Sequence, residues 1–148
     1  MAPLFSARYR VWWSETDAAL MMHFSNFFRA CERTEEEFLS SLGVAQVGQP
    51  GSRLLMPRVR AECDYESPLR PGDVYRVDLV DLVLGRSSLQ YTYEIYNETA
   101  GRLSARCRIV TVVYDEATGR AREIPRELRE RLLSAGARQR DDVADEQA

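Results

Sequence analysis

Apolar and polar side chains alternate one by one over residues 5–13, "FSARYRVWW". Phe5, Ala7, Tyr9, Val11 and Trp13 fall on one side, and Ser6, Arg8, Arg10 and Trp12 on the other. A period of two predicts a strand with one buried face. The period changes over residues 25–42, where Phe27, Cys31, Thr34, Phe38 and Leu42 recur at steps of three and four. Phe28 and Leu39 widen that stripe, and Arg29, Arg33, Glu36 and Glu37 occupy the opposite face. This spacing predicts an amphipathic helix. Ser25 is expected to cap its start, and Gly43 suits the left-handed position after its end.

Residues 44–54, "VAQVGQPGSRL", hold two glycines and a proline and read as a loop. Strand patterns then follow at 57–65, 74–84, 89–96 and 103–114, separated by "SPLRPGD", "GRSS" and "NETAGR", with "DEATGR" after the last. These short segments read as turns, which favour antiparallel neighbours. Residues 124–136, "IPRELRERLLSAG", predict a short helix starting near Pro125. The order is therefore strand, long helix, four strands and a small helix. It predicts an α+β fold with one helix against an antiparallel sheet of about five strands. A helix of about 18 residues spans roughly 27 Å. Strands of about 9 to 12 residues span roughly 30 to 40 Å, so a curved sheet can cover the helix along its length. Residues 1–136 are expected to form a single domain, and the stripe-free tail, 137–148, to be disordered.

Composition narrows the function classes. The 148 residues are 45% hydrophobic and 29% charged, with a net charge of −3, so no nucleic-acid or anionic-membrane surface is expected. All 20 basic residues are arginine, which removes a Schiff-base or phosphate-loop lysine and leaves forked donors suited to phosphate. Cys31, Cys63 and Cys107 are far apart among apolar neighbours, and buried free thiols are expected. With a single histidine and no CxxC, no metal site is expected. The N-terminus lacks a basic leader with an apolar core, and no stretch approaches the ~20 apolar residues of a membrane span. A cytoplasmic setting is the default expectation.

The candidate chemistry lies in "SETDAALMMHF", where Glu15 and Asp17 stand just ahead of the only histidine and the predicted helix start. Free N–H groups and the dipole of a helix N-terminus stabilise a developing oxyanion, and a carboxylate ahead of them can serve as nucleophile or base. The plain alternative is that Asp17 only hydrogen-bonds loop backbone. His23 alone could complete a Ser-His-Asp or Cys-His arrangement, but no nucleophile turn such as G-x-S-x-G accompanies it. A place at a pocket mouth, a contact holding Asp17 or a structural role is expected for it instead. Met21, Met22, Phe27 and Phe28 are expected in the core, with the methionines able to shape a pocket.

The stretch "WSETDAALMMHFSNFFRACERTEEEFLSSLG" resembles the 4-hydroxybenzoyl-CoA thioesterase-like group of hotdog-fold thioesterases, with its strand, T-D-x-x-G segment, apolar pair and Asn-bearing helix start. The likeness continues through "PRVRAECDYESPLRPGD", "GRSSLQYTYEIYN" and "IPRELRERL", to about residue 133. It implies a long central helix wrapped by an antiparallel sheet, and hydrolysis of an acyl- or aryl-CoA thioester to free acid and CoA. Asp17 would be nucleophile or general base, and the Phe24 N–H would polarise the thioester carbonyl. Sites of this family lie between subunits, so a homodimer or homotetramer is implied, with no cofactor beyond the coenzyme A of the substrate. An acyl-carrier-protein thioester is an equal candidate for the carrier.

Glu32 is a candidate substrate contact by the same resemblance, against pairing with Arg29 or Arg33 on a solvated face. Ser88, with Ser87, could line the acyl tunnel or merely build a turn. Arg86, Arg126 and Arg129 are candidates for the coenzyme A phosphates. The chain departs from the family at Leu20, where glycine is usual. Glycine there permits positive φ, so leucine is expected to alter the loop or narrow the pocket. Two rival readings stand beside hydrolysis: an acyl-thioester hydratase or dehydratase pairing Asp17 with His23, and a non-catalytic acyl-CoA-binding protein.

Overall fold

The computed structural model of the chain describes residues 2–44 and 54–141. The alternating segment forms β1 (Phe5–Arg10), and the helical stripe forms α1 (Ser25–Ser41). They are followed by β2 (Arg58–Tyr65), β3 (Val74–Leu84), β4 (Ser88–Asn97) and β5 (Arg102–Val112). Two-residue strands β6 (Tyr114–Asp115) and β7 (Arg120–Ala121) pair across "EATG", and α2 (Arg126–Ser134) begins directly after Pro125. The main sheet has the order β1-β3-β4-β5-β2, and these five strands run antiparallel to their neighbours.

One face of the sheet carries Tyr75, Val77, Leu79, Leu82 and Leu84 from β3, and Leu89, Tyr91, Tyr93 and Ile95 from β4, all buried. The apparent break in parity along "VYRVDLVDLVL" is a bulge between Leu79 and Asp81. One extra residue there lets Leu82 and Leu84 return to the face that Val77 and Leu79 occupy. The α1 stripe of Phe27, Ala30, Cys31, Thr34, Glu35, Phe38 and Leu39 is buried and packs into the same core. Gly43 takes φ 72° just past the helix, as the sequence predicts.

Several expectations need correction. The first strand ends at Arg10, and Trp13 is 85% exposed at the start of a 3-10 turn, Trp13–Glu15. The carboxylate of Glu15 accepts the Trp12 N–H at 2.8 Å and turns the chain before the alternation can continue. The segment 66–73 is a crossover and not a hairpin turn, because β2 pairs with β5 whereas β3 lies between β1 and β4. Its centre is anchored by fully buried Leu69, whose carbonyl accepts the Met22 N–H at 2.7 Å. Cys63 and Cys107 are joined in a disulfide and are not free thiols. Their strands place them directly opposite each other, with Cα atoms 4.1 Å apart, a juxtaposition invisible in a sequence separation of 44. Cys31 stays free and buried, and burial pushes its thiol pKa up, which removes it as a thiolate nucleophile.

The tail also orders further than expected. Ala137 is buried, and β8 (Arg138–Gln139) pairs in parallel with Val83 and Leu84 of β3. Backbone pairing and an Arg138–Asp81 ion pair at 2.8 Å hold it without an apolar stripe. Residues 142–148 of the predicted tail, and 45–53 of the predicted loop, lie outside the described residues. Among the described residues no helix is long and apolar enough to cross a membrane.

Candidate functional site

The loop between β1 and α1 builds the site. A bridge between Thr16 and Met22 closes a tight turn in which the Asp17 N–H donates to Met21 O and the Leu20 N–H to Asp17 O, both at 3.0 Å. Asp17 Oδ1 accepts the Ala19 N–H at 2.9 Å, so one carboxylate oxygen is engaged in fixing the loop. Leu20 takes φ 59°, the left-handed conformation that ends a three-residue hairpin turn. Leucine therefore keeps the turn that a glycine would make, and its side chain, 66% exposed, is absent from the pocket beside Asp17. The expectation that it alters the loop or narrows the pocket is not met.

The conformation still carries a cost. A non-glycine residue in this region loses about 1 to 2 kcal/mol, of which glycine's greater unfolded-state freedom would return about 0.5 to 1 kcal/mol. Leu20→Gly is expected to stabilise the fold by about 0.5 to 1 kcal/mol, read as a rise of a few degrees in thermal midpoint. A lowered midpoint would contradict this account of the turn.

Beyond the turn, Glu15 O receives both the His23 N–H at 2.9 Å and Asn26 Nδ2 at 2.8 Å, which seats the helix start against the loop. Ser25 is not the cap but the first helical residue. Its N–H donates to His23 Nδ1 at 3.3 Å, and its hydroxyl hydrogen-bonds the same nitrogen at 2.8 Å. His23 thus serves the helix terminus and makes no hydrogen bond to Asp17 among the described residues. The Phe24 N–H has no acceptor among the described residues, while Phe24 O accepts the Tyr65 hydroxyl at 3.0 Å. Tyr65 also meets Phe27 edge-on, with ring centroids 5.0 Å apart.

Asp17 and Phe24 line one pocket of about 360 Å³, shared with Met21, Met22, Phe27 and Tyr65 and closed by Glu66, Ser67 and Pro68 of the crossover. The size lies within the range of small-ligand sites. Tyr65 and Glu66 line this pocket, Asn26 braces the loop beside it through Glu15 O, and none of the three is a candidate in the sequence. The aromatic end of the "PRVRAECDY" alternation was the available signal for Tyr65. Its partner 41 residues away in Phe24 was not visible.

The remaining candidates stand apart from this pocket within one copy of the chain. The Glu32 side chain is 67% exposed and lies 4.0 Å from Arg58, and it makes no ion pair with Arg29 or Arg33 among the described residues. Ser88 is buried and its hydroxyl accepts Arg140 Nη2 at 2.7 Å. Ser87 offers its carbonyl to the Val113 N–H, and Arg86 offers its own to the Ile124 N–H. Arg126 pairs with Glu130 at 3.0 Å on the surface. Arg129 is committed to the fold, donating to Gly85 O, Arg86 O and Gln139 Oε1, so the structure withdraws it as a phosphate ligand.

A second buried carboxylate lies farther along α1. Glu35 is 6% exposed and pairs with Arg58 at 2.6 Å. Burial raises its pKa above the ordinary 4.5, and the Arg58 guanidinium opposes the rise. The Tyr91 hydroxyl is buried against this pair and faces the Glu35 carboxylate, and burial pushes its pKa up.

The sequence profile of the thioesterase-like superfamily matches residues 11–132. A 1,4-dihydroxy-2-naphthoyl-CoA hydrolase of Thermosynechococcus vestitus is 34% identical over 103 residues, covering 69% of this chain and 70% of that protein. The crystal structure of a hypothetical protein from Aquifex aeolicus superposes with a TM-score of 0.74 at 32% identity, covering 86% of this chain and 98% of the other. A 1,4-dihydroxy-2-naphthoyl-CoA thioesterase from Synechocystis shares the fold, with a TM-score of 0.77 at 22% identity, covering 87% of this chain and 95% of its own.

Proposed function

This chain belongs to the thioesterase-like superfamily and hydrolyses acyl- or aryl-CoA thioesters, and on that premise we propose that Asp17 and the Phe24 N–H carry the reaction on an aryl-CoA. The observation behind this reading is that Asp17 and Phe24 line one largely apolar pocket, and that the Phe24 N–H at the helix start has no acceptor among the described residues. The thioester carbonyl oxygen accepts the Phe24 N–H, and the rise in charge on that oxygen is met by the helix dipole. Asp17 either takes a proton from water, whose oxygen bonds to the carbonyl carbon, or attacks that carbon itself. Collapse of the tetrahedral intermediate breaks the C–S bond, and the thiolate leaves to take up a proton as CoA-SH. On the nucleophilic path, water then hydrolyses the Asp17 anhydride to free acid.

An aryl group is favoured because Phe24, Phe27, Tyr65, Met21 and Met22 line the pocket, and because a relative acts on a dihydroxynaphthoyl thioester. In this reading the sheet wraps α1 in the hotdog arrangement, and the protein works as a homodimer or homotetramer in the cytoplasm. The edge strand β2, with Val59 59% exposed, supports assembly through that side. A hydratase reading finds no support in the placement of His23, which is turned to Ser25.

The test is single turnover of an aryl-CoA in ¹⁸O-water with mass analysis of the products. Free acid and CoA in equal amounts are expected. Label in Asp17 after the first turnover identifies the nucleophilic path, whereas label in the acid alone fits direct attack by water or an anhydride opened at its acyl carbon. Conversion of an enoyl-CoA to its hydrated thioester, with no CoA released from any substrate, would overturn the reading.

A further inference from the structure

We propose that a groove beside the Asp17 loop is the nucleotide subsite, in which an indole of Trp12 or Trp13 stacks on adenine and Arg10 pairs with a phosphate. The inference rests on the CoA-thioester reading and identifies where the far end of that substrate lies. The groove measures about 510 Å³ and is walled by Arg10, Trp12, Trp13 and the Pro71-Gly72 turn. Both tryptophans of the chain stand here, 61% and 85% exposed. Indoles ordinarily bury most of their surface, so two adjacent exposed ones mark a surface with a task. The Arg10 guanidinium has no ion-pair or hydrogen-bond partner among the described residues. Most arginines on this sheet are already paired, including Arg8 with Glu98 and Arg76 with Asp78.

The groove is preformed. Its indole wall is set by the 3-10 turn, where Glu15 accepts the Trp12 N–H and donates its own N–H to Trp12 O at 3.0 Å. Its floor is pinned by the Gly72 N–H to Val11 O and the Val11 N–H to Asp73 O, each at 2.9 Å. The Asp73 carboxylate is turned to the Arg70 N–H and Asn97 Nδ2, both on its Oδ2, and makes no ion pair with Arg10 among the described residues. Flat aromatic faces beside an unpaired guanidinium fit a purine carrying phosphate, through stacking and a charge-assisted fork. Asp17 lies four positions after Trp13, at most about 14 Å of chain. An extended pantetheine arm bridges that separation, so one molecule can place its thioester at Asp17 and its adenine here.

The experiment is tryptophan fluorescence of the intact protein titrated with adenosine 3′,5′-bisphosphate, CoA and 3′-dephospho-CoA, in parallel with kinetics. Saturable quenching by the bisphosphate and by CoA is expected, and weaker binding after Arg10→Ala. Trp13→Ala and Arg10→Ala should each raise KM for an acyl-CoA about tenfold. The same acyl group on N-acetylcysteamine, which lacks the nucleotide, should show no such rise. Equal KM changes for both thioesters, or no quenching by the bisphosphate at millimolar concentration, would overturn the proposal. So would fluorescence that follows protein concentration but not nucleotide, which would assign the indoles to contacts between copies. The bisphosphate titration needs no turnover: quenching without thiol release would fault only the hydrolase reading, and thiol release without quenching only this subsite.

Discussion

Asp17→Asn is expected to lower the rate of thioester hydrolysis by about 100-fold or more while leaving the fold intact. Asparagine retains an Oδ1 that can accept the Ala19 N–H, so the loop geometry that holds position 17 survives the change. What it loses is the negative charge and basicity of the second oxygen, which the reaction needs as base or nucleophile. The Phe24 N–H and the pocket are untouched, so substrate binding should persist and the loss should fall on kcat. Steady-state kinetics on an aryl-CoA, with thermal unfolding of both proteins, separates the two effects. A variant that turns over at the wild-type rate would remove Asp17 from the mechanism. One that fails to fold would instead show that the carboxylate is structural.

Arg58→Ala should destabilise the protein by about 3 kcal/mol at neutral pH. Glu35 is buried against the sheet, and Arg58 is its ion-pair partner at 2.6 Å. Removing the cation strands a buried carboxylate. Arg58 itself is about a third exposed, which places the cost at the lower end of that for buried pairs. The pH dependence follows from the direction of the Glu35 shift. Its pKa is raised in the folded chain, so the folded state holds that proton more tightly than the unfolded state. Its favourable contribution is therefore complete below the ordinary value of 4.5 and is lost as pH rises through the raised one. Without Arg58 the rise is larger, so the deficit relative to wild type should grow with pH and shrink on acidification. Urea unfolding at several pH values measures this, and a deficit independent of pH would contradict the assignment to Glu35.

How far these features were legible depends on whether they are local. The α1 stripe, the Gly43 terminus and the alternations of β3, β4 and β5 are written in residue spacing, and the structure places them where the spacing puts them. The β3 bulge can be read, in hindsight, from the parity change between Leu79 and Leu82. Features set by distant partners could not be read in this way. The crossover at 66–73 contains the prolines and glycine of a turn, and only the sheet order shows that it links non-adjacent strands. The Cys63–Cys107 bridge depends on β2 lying beside β5. Glu35 adjoins Glu36 and Glu37, which the spacing puts on the polar face, and nothing local shows that it pairs inward with Arg58. Within the candidate site, Asp17 and the helix-start amide of Phe24 are close in sequence, so the resemblance could name them together. Tyr65 and Glu66 arrive from the other side of the fold and were not named with them. Trp13 continued the alternation on paper, but Glu15 turns the backbone and leaves its indole in solvent.

The most direct test of the central claim is thiol release from a panel of aryl- and alkyl-CoA thioesters, followed with an Ellman-type reagent for the wild type and Asp17→Asn side by side. The account predicts release by the wild type, fastest with aryl groups, that collapses in the variant. Release that is equal in the two proteins, or no release by the wild type from any CoA thioester, would contradict it.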